Sequence, residues 1–221
     1  MLVSIAEKNR QELLKGVYEA ISNVNLKRNV EDYLAFLDPI SCASDKIQAS
    51  NVHLSDAVKI WTDLSSQLGN ILDTKQMQAF AKRKSMALTP THYFSFYLDP
   101  RFRSENVLTP LEIEEAMNLA QQLDQKLVGV ILKFRVGKEP FMPTMFSDEA
   151  LHAVSPADWW SLVSIDSNLK EHIQRILTCS TTTAELERLF STFGFVHSSL
   201  RNRLGIEKCG KLVFCFRILN Q

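Results

Sequence analysis

Apolar residues recur at steps of three and four along most of the chain, and nowhere do they alternate convincingly with polar ones; this predicts helices and no sheet. Residues 5–37 read as two helices, the first striped by Leu13, Leu14, Val17, Tyr18 and Ile21, the second by Val30, Tyr33, Leu34 and Leu37. Asp38-Pro39 is expected to end the second, because proline pushes the residue before it away from the helical region. A third helix spans 52–72 through Leu54, Val58, Ile60, Trp61, Leu64 and Leu68. Trp61, mid-helix among leucines, reads as core rather than as a platform for stacking bases. Residues 76–88 turn Met77, Phe80, Ala81 and Ala87 inward and leave Lys82, Arg83 and Lys84 as a solvated basic face.

The middle of the chain carries sharper punctuation. A short aromatic element, Thr91 to Tyr97, stops at Asp99-Pro100, where Asp99 reads as a turn residue. Thr109-Pro110-Leu111-Glu112 combines a cap, proline at the first helical position and a glutamate three residues after the cap. The helix it opens is expected to run to about Phe134 through Leu111, Met117, Leu119, Ala120, Leu123, Leu127 and Ile131. Residues 136–147, with one glycine and two prolines, read as a linker between a region at 1–135 and another at 148–221. Asp158-Trp159-Trp160 opens a short helix, and Leu169 to Leu177 forms another.

The last third is the most patterned. Ser180, Thr181 and Thr182 are good N-cap residues, and Thr182 with Glu185 fits a capping box that leaves Glu187 free for other work. That helix places Leu186, Leu189, Phe190 and Phe193 together, and Gly194 is expected to end it. The final helix puts Ile206, Cys209, Leu212, Val213, Phe216 and Leu219 on one face, which needs another surface to cover it.

These residues carry a resemblance. The run from Ala184 to Leu219 resembles the C-terminal signature of hAT-superfamily DNA transposases, through Glu187-Arg188-Leu189-Phe190-Ser191, Arg201-Asn202-Arg203-Leu204 and the apolar helix from Ile206. Trp159-Trp160 lies at the family's usual distance upstream, and Leu98-Asp99-Pro100-Arg101-Phe102 followed by Leu108-Thr109-Pro110 resembles its helical insertion domain. The resemblance implies a mainly α fold: a helical insertion region, then the C-terminal helices of an RNase H-like core. It implies a dimerisation segment with Leu189, Phe190, Ile206, Leu212, Val213, Phe216 and Leu219 in contact. Trp159, Trp160, Arg188, Arg201, Asn202 and Arg203 would be its structural signature, Arg-Asn-Arg capping the connection rather than touching DNA. In active members three carboxylates hold two divalent metals that activate the attacking oxygen and stabilise the leaving one. Glu187 matches the third of them; the first two belong to strands before the insertion, inside which this chain begins. One carboxylate does not hold two magnesium ions. Glu187 is therefore expected to be vestigial, an exposed glutamate pairing with Arg188 or Lys170, with Mg²⁺ a cofactor only within an intact transposase. Cys179 and Leu186 depart from the family pattern, and the bulk of Leu186 would crowd a metal site.

Composition narrows the reading further. The 221 residues carry zero formal net charge, 45% hydrophobic and 23% charged residues, ordinary values for a globular chain. A neutral chain is no polycation, so a DNA contact would be weak and local, through Arg201, Arg203, Lys208, Lys211 and Arg217, which face only Glu207. Cys42, Cys179, Cys209 and Cys215 share no CxxC spacing and read as buried thiols. The charged N-terminal stretch resembles neither a signal peptide nor a membrane span, which points to an intracellular compartment. Phosphate loops, HExxH and nucleophile-elbow motifs are absent, and the five histidines are scattered. The leading expectation is dimerisation, with itself or a related transposase-derived protein, by a truncated or domesticated hAT transposase in the nucleus. The alternative is a fragment of an active enzyme that cuts and joins DNA with Glu187 as a metal ligand. Upstream sequence encoding two aspartates and a BED-type zinc finger would discriminate the two.

Overall fold

The computed structural model describes residues 15–49, 51–196 and 205–219. They are mainly helical, and one isolated bridge, His53 to Ser180, is the extended pairing among them. The chain divides into two compact units: Met1–Ser44 with Trp61–Met86, and Asp45–Ile60 with Ala87–Gln221.

The first unit contains α1 (Lys15–Ile21), most of α2 (Val24–Ile47), the second half of α3 (Leu54–Leu68) and α4 (Thr74–Ala87). Asn23 starts α2, its side-chain oxygen accepting from the amides of Asn25 and Leu26, both at 3.0 Å. Asp73 and Gln76 cap α4 reciprocally, each backbone amide donating to the other's side chain, at 3.0 and 2.8 Å. The expected break at Pro39 does not occur: α2 continues through it to Ile47. Proline removes one helical hydrogen bond. The residues around it compensate, since Phe36 and Ile40 line an apolar cleft of about 380 Å³ with Trp61, Leu64, Leu72 and Phe80. Trp61 is half-buried there and tilts against Phe80, ring centres 5.6 Å apart. Phe80 and Met77 face partly inward as expected, whereas Ala81 and Ala87 are exposed.

The second unit is built on α5 (Pro90–Leu98), which packs against α6 (Pro110–Leu123) and α10 (Ser167–Leu177). The start of α6 is as the sequence predicts: Thr109 accepts from the Glu112 amide at 3.3 Å, and the Glu112 carboxylate accepts from the Thr109 amide at 2.7 Å. The expected single helix to Phe134 is instead two. Asp124 adopts an extended backbone, and its carboxylate caps α7 (Gln125–Val136) by accepting from the Lys126 amide at 2.7 Å. Gly137 ends α7 in the left-handed conformation, φ 74°, which glycine reaches without strain.

The stretch 136–147, read above as a linker, contributes Phe141 to the core. Phe141 stacks on Trp159 at an interplanar angle of 3° and meets Phe134 and Trp160 edge-on. The two tryptophans sit on α9 (Pro156–Ser161), which follows α8 (Asp148–Ala153) and packs on α10. Their indole N–H groups donate to the carbonyls of Met145 and Leu98, each at 2.9 Å.

Asp99 is fully buried and caps the short 3₁₀ turn Pro100–Phe102 by accepting from the Arg101 amide at 3.0 Å. Its charge is met by the Arg101 guanidinium at 2.7 Å, which also reaches Asp56 at 2.8 Å. Removing one partner of such a pair strands the other without solvent. Arg101→Met is expected to destabilise the chain by about 2–4 kcal/mol in urea unfolding, and Asp99→Asn/Arg101→Met to recover part of that loss. Burial, with Glu112 and Glu115 nearby, pushes the Tyr93 phenol up to about 12. Its folded value lies above the unfolded one, so the stability it adds is complete below about pH 10 and is lost as pH rises through 12. Absorbance at 295 nm should show one of the four tyrosines ionising late, a step that Tyr93→Phe removes.

Candidate functional site

The C-terminal pair, α11 (Ala184–Val196) and α12 (Ile206–Leu219), is launched from a fixed segment. Leu54 N–H donates to the Cys179 carbonyl at 3.3 Å, Thr181 N–H to Val52 at 3.4 Å, and the Thr181 hydroxyl to Ile47 at 3.0 Å. Helix α11 begins at Ala184, which places Thr183 rather than Thr182 at its cap position. It also continues through Gly194 to Val196, where the sequence pointed to a stop. Gly194 is exposed, and a side chain there would meet only open space.

The two helices pack through a small centre. Cys209 and Val213 are buried on α12, with Leu189 and Phe193 of α11 partly buried against them. Around this seam apolar side chains are exposed: Phe190 is 70% exposed, Phe214 66% and Leu212 49%. Successive helical residues point about 100° apart, so Leu212, Val213 and Phe214 together make α12 apolar over about 200° of its circumference. One partner helix covers the Val213 part of that arc and leaves both flanks in water. On one flank Leu189, Phe190, Phe193, Gly210, Val213 and Phe214 line an open apolar cleft of about 560 Å³. A side chain at Gly210 would meet nothing within 4 Å, so the cleft floor is open there. Gly210 and Phe214 were not foreseen; the unbroken run Leu212-Val213-Phe214 was the signal, being too wide for a single buried stripe.

The polar groups nearby are occupied with local bonds. Glu187 is exposed, and its carboxylate accepts from the Thr183 hydroxyl at 3.1 Å. Lys170, one of the two partners expected for it, donates to the Ser161 carbonyl at 2.8 Å. Lys211 pairs with Glu207 at 2.8 Å. Among the described residues no group of three His, Cys, Asp or Glu side chains could hold a metal ion. Among the described residues, no helix is long and apolar enough to cross a membrane.

The remaining sequence candidates divide clearly. Trp159 and Trp160 are buried in the aromatic cluster. Arg201, Asn202 and Arg203 lie outside the described residues, as do the side chains of Glu185, Leu186, Arg188, Ile206, Arg217 and Leu219. Of the cysteines expected to be buried, Cys209 is, whereas Cys42, Cys179 and Cys215 are exposed.

No curated protein and no solved structure matches the chain. A family model does, over residues 137–218, and its description is the hAT family C-terminal dimerisation region. The matched span opens at the glycine cap of α7, takes in the tryptophan pair and ends on α12. Over that span the chain is similar to the C-terminal dimerisation region of the hAT family.

Proposed function

We propose that α11 and α12 form a self-association surface, and that the chain is a truncated or domesticated hAT transposase retained for pairing with a second copy or a related transposase-derived protein. The observation that carries this reading is the exposed apolar rim of a helix pair within the matched dimerisation region: Phe190, Phe214 and Leu212. Burying one such side chain contributes about 1.5–3 kcal/mol. Phe190, Phe214 and Leu212 are roughly half to two-thirds exposed, so each supplies only a part of that. Three from each copy give a sum of the same order as an association cost of about 4–15 kcal/mol, and more if Phe190 and Phe214 seat in the opposing cleft. Aromatic anchors in a desolvated pocket are the usual source of interface affinity. The RNase H-like ancestry and a nuclear location accompany this reading. Glu187 has no part in it, because its carboxylate turns back onto its own helix start.

Sedimentation equilibrium of the full chain tests the proposal. Phe190→Ser/Phe214→Ser should raise the dissociation constant of this contact at least about a hundredfold while the circular dichroism stays unchanged, since both side chains are largely exposed. Glu187→Ala should leave association as it was. An unaltered oligomer in the double serine variant would defeat the reading.

A further inference from the structure

The apolar cleft of about 380 Å³ beside Trp61 lies wholly within the first unit, apart from the pairing proposed above. Its volume falls in the range of small-molecule sites, about 300–1,000 Å³, which combine an apolar, aromatic lining with a few polar groups. Phe36, Trp61 and Phe80 supply the aromatic lining, and Arg83 is the one charged residue in the wall. Gln76, also in the wall, is taken up with capping α4, its side chain accepting from the Asp73 amide at 3.0 Å. At Ala79 and Arg83 the cleft adjoins a second hollow of about 310 Å³, completed by Lys82 and Met86. An apolar chamber therefore meets a basic one, with Arg83 at the threshold.

Charge and size together select the ligand. Helix α4 carries Lys75, Lys82, Arg83 and Lys84 and no acidic residue. Lys82 and Arg83 are exposed, and among the described residues neither makes an ion pair. A guanidinium in that position binds a carboxylate by charge-assisted hydrogen bonds. The far end of the cleft differs: Phe36 and Gln76 border a hollow that Asp32 lines, and a carboxylate there is repelled. The anionic head thus has one end to occupy. Gln76 and Arg83 stand seven residues apart on α4, about 10 Å along its axis. An apolar cavity of about 150 Å³ takes up benzene, so this cleft has room for roughly a dozen carbons and not for the two chains of a membrane lipid. We infer that it binds a free single-chain carboxylate of about ten to twelve carbons, tail against Phe36, Trp61 and Phe80, head on Arg83 and Lys82.

Isothermal titration calorimetry of the full chain tests this with dodecanoate, kept below the concentration at which it forms micelles. One molecule should bind per chain, and more tightly than dodecanol, which has the same tail and no charge. The fluorescence of Trp61 should change on binding, and Trp61→Phe should remove that change, because Trp159 and Trp160 are buried in the second unit. Arg83→Gln should weaken dodecanoate by about fivefold and leave dodecanol as it was. Ala79 is exposed and borders both hollows, so Ala79→Trp should fill the passage, abolish binding and leave the circular dichroism unchanged. Equal affinity for dodecanoate and dodecanol overturns the inference, as does undiminished binding in Ala79→Trp. It falls equally if dodecanoate does not bind while an acidic amphipathic peptide binds the unaltered chain and not Ala79→Trp, since the occupant is then a protein segment.

Discussion

A carboxylate sealed from water governs how the second unit is put together. Burying an ionised group costs several kcal/mol unless a counter-charge and hydrogen bonds meet it. Asp99 obtains both from Arg101, whose guanidinium then extends to Asp56. Asp56 in turn accepts from the His53 amide at 3.0 Å and so fixes the start of α3. The residues just there, 52–54, hydrogen-bond to the segment 179–181 from which α11 departs. One electrostatic requirement thus reaches, through two turns and a bridge, to the placement of the C-terminal helices. Trp160 secures the same corner from the apolar side, its indole bonded to the carbonyl of Leu98, next to Asp99.

Local signals in the sequence were reliable where a side chain acts on its own helix. Thr109 and Glu112 form the capping box their spacing announces, because that motif needs nothing beyond four residues. The break at Asp124 carried a comparable signal, a good cap residue with its acceptor two positions before Lys126, but unbroken apolar periodicity from Leu111 to Ile131 concealed it. Pro39 and Gly194 misled for the opposite reason. Each is a helix breaker by propensity alone, a weak local preference. At Pro39 the flanking Phe36 and Ile40 both line the apolar cleft, whereas Gly194 is exposed and no packing accounts for it. The cysteines show the same limit, since a thiol's burial depends on what crosses it, and only Cys209 meets Leu189 and Phe193.

The C-terminal face was half legible. Periodicity picked out Cys209 and Val213 together with Leu212 and Phe216, yet it could not say which of them α11 would cover. The answer depends on how wide an arc one neighbouring helix can bury, a property of two helices and not of one stripe. Phe214 fell outside the expected face because it lies on the far flank of α12, where it walls the cleft with Phe190.

The bare phenylalanines of α11 and α12 also give the molecule a sense of quantity. A chain with zero formal net charge has no long-range repulsion to keep two copies apart. Under the proposed self-association, how much of the rim stays wet is a matter of mass action: scarce copies leave it open to any apolar surface nearby, and abundant ones close it over. Read this way, the exposed rim is a gauge of the protein's own copy number, set by hydrophobic area alone.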